Sequence, residues 1–123
     1  MSLSERVLLT LAALAGFVGV VLSAMAAHGT SGSELDVAAR FLLVHAAALI
    51  GLVALIASGM VHTRIGRLAA WVMVLGLMLF CGDLTRRALG GGSLAPMAAP
   101  TGGILLMIGW ALSGLAAVTG PRR

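Results

Sequence analysis

Three histidines are the side chains of this sequence best suited to chemistry, because imidazole binds metals and carries protons near neutral pH. His28 closes a long apolar run and is followed by Gly29, a pair typical of a helix C-terminus whose glycine adopts positive φ. His45 lies within the second apolar run, where an unpaired imidazole is costly. We expect a hydrogen-bonded core histidine there, and a haem held between His28 and His45 is the alternative. His62 is expected in an interfacial loop.

A cluster of charges closes the third apolar run. Asp83, Arg86 and Arg87 are three and four positions apart, so on a helix the carboxylate can pair with either arginine. Arg40, near the start of the second run, could reach the same carboxylate from a neighbouring helix. These charges indicate either a proton or anion pathway or, more simply, arginines that extend to the membrane surface.

Motifs for known catalytic chemistry are missing from the sequence. It contains no phosphate-binding glycine loop, no cysteine or histidine pair at zinc spacing, and no serine in a nucleophile motif. Cys81 lies within an apolar run and is expected to be a core residue. We therefore predict that the protein is not an enzyme and that it holds no metal or other cofactor.

The composition indicates that these residues belong to a membrane protein. Of the 123 residues, 60% are hydrophobic and 10% are charged, whereas soluble domains carry about 25% charged residues. Crossing a hydrocarbon core about 30 Å thick takes about 20 helical residues. Four segments are long enough, at about residues 7–27, 37–61, 68–89 and 98–119. We therefore predict an all-α fold, an integral membrane antiparallel four-helix bundle that forms a single domain in contact with lipid.

The arginines predict the orientation of these spans. The net charge of +4 could indicate nucleic acid, but no basic stripe lies on a soluble segment, so no nucleic-acid partner is expected. The side with both termini holds Arg6, Arg64, Arg67, Arg122 and Arg123, and the other side holds Arg40, Arg86 and Arg87. The side richer in arginine is usually cytoplasmic, which places both termini in the cytoplasm.

The first span also has features of a secretory signal peptide. Its apolar run is about 20 residues long, however, whereas a signal core has about 7 to 15. Its small residues also recur at every fourth position, which suits helix packing. We therefore expect the segment to be retained.

Small residues recur at helical spacing in several spans. Within lipid, helices associate through close packing at such residues. The glycines expected to pack helices are Gly16, Gly19, Gly51, Gly82, Gly102, Gly103 and Gly109. Stripes of small residues lie on Ala15, Gly19, Ser23 and Ala27, on Ala47, Gly51, Ala54 and Ser58, and on Gly102, Gly109, Ser113 and Ala117. Either a compact bundle uses all the stripes internally, or one is left over for a partner protein.

The connection between the third and fourth spans is rich in glycine and proline. The fourth helix either begins near Pro100 or begins earlier and kinks there. In the first case, residues 94–99 could dip into the bundle as irregular backbone.

Motifs in all four spans follow one another in a recognisable order. They are Gly16-Phe17 through Ala27-His28, Phe41 with His45, Leu79-Phe80-Cys81-Gly82-Asp83, and Pro100-Thr101-Gly102-Gly103 with Gly109-Trp110. Over about residues 7–118 the chain resembles the domain-of-unknown-function 423 family of small four-span inner-membrane proteins. The resemblance implies that fold, a bacterial inner membrane, and a possible link between His28 and His45. The family usually has uncharged residues at the positions of Asp83, Arg86 and Arg87, so this cluster could be a docking surface for one partner.

Two functions follow as hypotheses. The first is a non-enzymatic accessory subunit that packs in a larger respiratory or photosynthetic membrane complex. It is motivated by the many small-residue stripes on a protein with almost no polar segments outside the spans. The second is a small proton or solute transporter or channel, motivated by His45 and the Asp83 cluster. Small drug exporters of similar size use a glutamate within their first span, and residues 7–27 contain none.

Overall fold

Four helices account for most of the chain. The computed structural model describes residues 1–29 and 33–121, and these residues form four α-helices and no strand. The helices are α1 (Leu3–His28), α2 (Ser33–Ala57), α3 (Thr63–Ala88) and α4 (Ala98–Val118). All four are long and apolar enough to cross a membrane. The predicted all-α fold of four membrane-spanning helices is confirmed.

Local capping residues fix several helix ends. α1 begins with a capping box, in which the Ser2 hydroxyl accepts from the Glu5 N–H and the Glu5 carboxylate accepts from the Ser2 N–H. α3 begins after His62, whose Nδ1 accepts from the Ile65 N–H at 3.4 Å. His62 is therefore an N-cap as well as a loop residue. α2 ends before a turn in which Gly59 has φ +73°.

The end of α1 differs in one detail from the prediction. The helix ends at His28, but Gly29 has φ −112° and ψ −179°. That conformation is extended rather than left-handed, so the predicted glycine cap with positive φ is wrong. The chain leaves α1 directly into the connection to α2.

The connection from α3 to α4 lies over the end of the helices. α4 begins at Ala98, so Pro100 is in its first turn, where its missing N–H requires no partner. The helix thus begins near Pro100 without an earlier start and a kink. Residues 94–97 are exposed and residues 98–99 are the start of α4, so the idea that residues 94–99 dip between the helices as irregular backbone is not supported.

The helices pack in series. α1 packs on α2, α2 on α3, and α3 on α4, whereas α1 meets α3 only sparsely. One buried cluster, which includes Leu8, Leu49, Met73 and Ala116, joins all four helices. A second, which includes Leu35 and Leu77, lies nearer the end of the molecule where α1 ends and α2 begins. The outward surfaces are apolar, which suits a lipid environment.

Glycines bring α3 and α4 into backbone contact. A methyl group at Gly102 would lie 2.5 Å from the Phe80 nitrogen and 2.7 Å from the Gly76 oxygen. A methyl group at Gly109 would overlap the Met73 side chain. At Gly102 the nearest atoms are backbone, so only hydrogen fits there, whereas at Gly109 a methyl group would require the Met73 side chain to move. Both glycines allow α3 and α4 to approach closely.

The other glycines on which packing was predicted vary widely. A methyl group at Gly19 would come within 3.0 Å of Leu43, and one at Gly82 within 3.1 Å of Leu94. At Gly16 and Gly103 the nearest atoms are 3.5 Å and 3.9 Å away, which is ordinary contact. A methyl group at Gly51 would meet nothing within 4 Å. The prediction that Gly51 packs helices together within this chain is therefore wrong, because its face of α2 points outward.

Candidate functional site around His45 and Asp83

His45 is buried between three helices. It lies twelve positions after the first residue of α2, which is about 18 Å along the helix. Its Nδ1 is 2.8 Å from the Phe41 carbonyl oxygen, and its Nε2 is 3.0 Å from the Trp110 indole nitrogen. An indole N–H only donates, so Nε2 must accept and Nδ1–H donates to the carbonyl. The geometry therefore assigns a neutral imidazole that carries its proton on Nδ1.

Aromatic rings surround this histidine. The Phe41 ring stacks on the imidazole at 5.7 Å between centroids and also meets the Phe80 ring at 4.5 Å. The Trp110 ring meets the imidazole edge-on at 5.8 Å. Side chains from α2, α3 and α4 are thus joined around one polar group.

A cavity of about 790 Å³ opens beside these rings. It is lined by Phe41, His45, Phe80, Arg87, Ala99, Pro100, Gly103, Ile104, Leu106, Met107 and Trp110. Its walls are mainly apolar, and the imidazole and one guanidinium are its ionisable groups. This combination suits a small, largely apolar molecule more than an ion.

The structure does not bring His28 and His45 together as a pair. His28 is exposed at the end of α1, whereas His45 is deep within α2. Both ring nitrogens of His45 already have partners, Phe41 and Trp110. Among the described residues, no group of three or more His, Cys, Asp or Glu side chains could hold a metal ion. The bis-histidine haem alternative therefore has no aligned ligands in this geometry.

Asp83 is fully buried and ties the α3–α4 connection to α3. Its Oδ1 accepts a 2.8 Å hydrogen bond from the Leu94 N–H. Its Oδ2 lies 3.0 Å from Arg87 Nη2, an ion pair whose angle falls outside hydrogen-bond geometry. Because the carboxylate is enclosed, Asp83 cannot itself be part of an exposed docking surface.

The three arginines at this end have different surroundings. Arg87 pairs with Asp83, and its side chain is about half exposed. Arg40 pairs at 2.9 Å with Asp36, one turn earlier in its own helix. The idea that Arg40 reaches Asp83 is therefore wrong, since a closer acid lies on α2. Arg86 is exposed and has no ion pair with any described residue.

A second buried ion pair lies at the opposite end and was not expected from the sequence. Glu5 is buried, and its Oε1 accepts from Arg67 Nη2 at 3.0 Å. The same Nη2 is 3.3 Å from the Ser2 hydroxyl. This contact joins the start of α1 to the start of α3. The Ser2-to-Glu5 spacing is a capping-box pattern and was the available local signal, but nothing in the sequence pointed to Arg67.

Comparison with known proteins agrees with the family suggested by the motifs. A family model described as "Protein of unknown function (DUF423)" matches residues 22–103. The chain belongs to the DUF423 family. A "UPF0382 membrane protein" from Haemophilus influenzae (strain ATCC 51907 / DSM 11121 / KW20 / Rd) is 33% identical over 109 residues, which cover 83% of this chain and 86% of that protein. No solved structure matches the chain.

Membership of the DUF423 family and the four apolar helices together make this chain a membrane protein in contact with lipid. The part matched by the DUF423 model includes His28, His45 and Asp83 but ends before Trp110. Glu5 also lies outside it. The hydrogen bond between His45 and Trp110 therefore joins a residue within the matched region to one beyond it.

Proposed function

We propose that the protein is a non-enzymatic accessory subunit that packs against other membrane proteins through one face of α2. The stripe on this face consists of Ala47, Gly51, Ala54 and Ser58, and all four residues are exposed. Their spacing of four, three and four positions places them in one line along the helix. The stripe is the observation that carries the proposal, because none of its members is enclosed by the chain's own helices.

Larger side chains flank the stripe. Val44, Ile50 and Leu55 are exposed to 58%, 44% and 40% beside it. Small residues between bulky neighbours form a trough in which the backbone of another helix can approach closely. The trough supports a helix of a neighbouring subunit as the partner.

The same face becomes polar near the start of α2. Asp36 and Arg40 lie on the line of the stripe, about three and two turns before Ala47, and form an exposed ion pair. Exposed ion pairs contribute little to the stability of a single chain. A partner helix in the trough would also contact this ion pair. The pair thus adds a polar contact near the membrane surface that orients the partner.

Two matched substitutions test the proposal. Gly51 and Gly114 are both exposed helical glycines at which an added methyl group meets nothing within 4 Å. Leucine at either position also favours the helix, by up to about 1 kcal/mol relative to glycine. Gly51→Leu fills the trough, whereas Gly114→Leu changes a different face on α4.

The readout is recovery of partner subunits after purification in mild detergent, quantified by mass spectrometry. We expect wild type and Gly114→Leu to retain partners at constant stoichiometry and Gly51→Leu to lose them. A wild-type protein purified alone, or equal recovery with the two variants, would argue against packing through α2.

A small proton or solute transporter is the second candidate function. It is supported by the buried neutral His45 beside the cavity that Arg87 and Trp110 also line. In proteoliposomes, transport would fall several-fold in His45→Ala and Asp83→Asn and be retained in His62→Ala, which alters a cap at the other end. Flux equal in all four proteins would remove this candidate.

We also propose a bacterial inner membrane as the location, with both termini in the cytoplasm. The support is the arginine bias, five residues against three. Respiratory or photosynthetic complexes are the assemblies in which we place the subunit.

A further inference from the structure

An apolar groove of about 530 Å³ runs between α1 and α3, with α2 at its base. It exists because these two helices meet only sparsely while both pack on α2. The groove is lined by Leu11, Leu14, Ala15, Val18, Leu22, Leu42, Leu49, Val74, Leu77, Met78, Cys81, Gly82, Thr85 and Arg86. It lies on the opposite side of α3 from the cavity beside His45.

The length and position of the groove match one leaflet of a bilayer. On α3 it extends from Val74 to Arg86, twelve residues further along the helix, which is about 18 Å. Half of a hydrocarbon core is about 15 Å. Val74 is near the middle of α3 and Arg86 is in its last turn, so the groove runs from one membrane surface to the bilayer centre.

The surface end of the groove carries a positive charge. Arg86 lines it, and the stem of this side chain lies against Gly91, where an added methyl group would be 2.7 Å from the Arg86 Cγ. Arg87 and Arg40 at the same end are paired with Asp83 and Asp36, but no acid among the described residues pairs with Arg86. Thr85 lines the groove beside it.

We propose that this groove binds one anionic phospholipid of that leaflet, with an acyl chain along the apolar walls and the phosphate on Arg86. A guanidinium binds phosphate oxygens through paired charge-assisted hydrogen bonds, and the Thr85 hydroxyl adds a donor. The net negative head group complements a site whose neighbouring arginines are already neutralised. A partner helix about 10 Å wide and 18 Å long would fill about 1,400 Å³, far more than the groove holds.

The head-group part of the proposal is tested with Arg86→Ala and a matched control, Arg64→Ala. Arg64 is also exposed and in a terminal turn of α3, but at the opposite end. The purified full-length protein is titrated with dioleoyl-phosphatidylglycerol or dioleoyl-phosphatidylcholine, and native mass spectrometry measures bound lipid. We expect wild type and Arg64→Ala to prefer phosphatidylglycerol, and Arg86→Ala to bind it about tenfold more weakly, as expected for a lost hydrogen bond to a charged group.

The acyl-chain part is tested with Ala15→Phe and its control Ala13→Phe. Ala15 lines the groove, whereas Ala13 is exposed on α1 outside it. Phenylalanine at 15 should reduce retention of both lipids, and phenylalanine at 13 should change neither. Equal affinity of wild type for the two lipids, an unchanged preference in Arg86→Ala, or unchanged retention in Ala15→Phe would overturn the proposal. None of these outcomes depends on the α2 trough.

Discussion

His45 joins two helices through a single polar contact, with Trp110 on α4. Trp110 donates to Nε2, the ring nitrogen of His45 that can accept, since the other nitrogen donates within α2. In lipid no water replaces a lost partner, so both groups depend on this geometry. The primary role that the structure gives this histidine is to hold α2 and α4 in register.

Replacing Trp110 by phenylalanine should destabilise the protein by about 1 kcal/mol, within the range of interhelical hydrogen bonds in membranes. Trp110→Phe keeps an aromatic ring but leaves His45 Nε2 without its donor. The change is measured by unfolding in mixed detergent micelles titrated with sodium dodecyl sulphate.

Trp71→Phe is the matched control. The Trp71 indole bonds the Ser4 hydroxyl at an exposed position, where a substitution changes stability by less than about 0.5 kcal/mol. Equal losses of stability in the two variants would show that the hydrogen bond from Trp110 to His45 contributes no more than the exposed one from Trp71.

Asp83→Ala should cost about 1.5–3 kcal/mol, the range for hydrogen bonds to charged groups. It removes the acceptor of the Leu94 N–H and the partner of Arg87, so cleavage by added protease within residues 89–97 should also increase. Asp36→Ala removes an exposed pair on α2 and should cost about 0.3–0.5 kcal/mol. If the two variants unfold alike and are cleaved alike, the buried carboxylate does not hold the connection.

For individual residues, the sequence predicted which polar side chains are buried better than it predicted the partners that they contact. The position of His45 within an apolar run predicted a hydrogen-bonded core group. Its partner Trp110 is 65 positions away, and no periodic pattern relates the two. Glu5 and Arg67 are likewise 62 positions apart. Such pairs depend on how helices rotate against each other, which only tertiary packing decides.

At the scale of the helices, glycine determines how closely α3 and α4 approach. Gly102→Ala would place a methyl group against backbone atoms of Gly76 and Phe80, which cannot move aside independently. We expect a loss of about 1–3 kcal/mol, as for other overpacked sites. Detergent unfolding of the purified variant measures it.

The neighbouring Gly103→Ala provides the comparison. Its methyl group would lie 3.9 Å from Phe80 Cδ1, so the variant should be as stable as wild type or more stable by up to about 1 kcal/mol, through helix propensity. A similar loss at both positions would show that the close approach to α3 is not what makes Gly102 intolerant of a methyl group.

The length of each apolar run predicted that a helix exists, whereas local capping residues determine where each helix begins and ends. The predicted first span began at residue 7, but α1 begins at Leu3 because Ser2 and Glu5 form a capping box. The second span was placed four residues too late at both ends. Glu34 and Asp36 favour an earlier helix start, and Gly59 requires an earlier end. Hydropathy locates the lipid-spanning centre of a helix and carries little information about its caps.

For the whole molecule, the proposed orientation predicts which connections a membrane-impermeant maleimide labels in intact cells. In a Cys81→Ser background, Ser93→Cys should be labelled from outside and Arg64→Cys only after permeabilisation. Serine at 81 retains a donor for the Ala38 carbonyl that the Cys81 thiol contacts at 3.5 Å. The reverse labelling would invert the topology, and labelling of both from outside would contradict four spans.

The serial arrangement of the helices bears on how the protein is made. Each of α2, α3 and α4 packs on the helix synthesised immediately before it. As the ribosome delivers successive segments to the bilayer, each new helix therefore meets a helix that is already in the membrane. Most helix packing can therefore form in one direction from the N-terminus, and a few contacts, such as His45 with Trp110, form only when a later helix arrives.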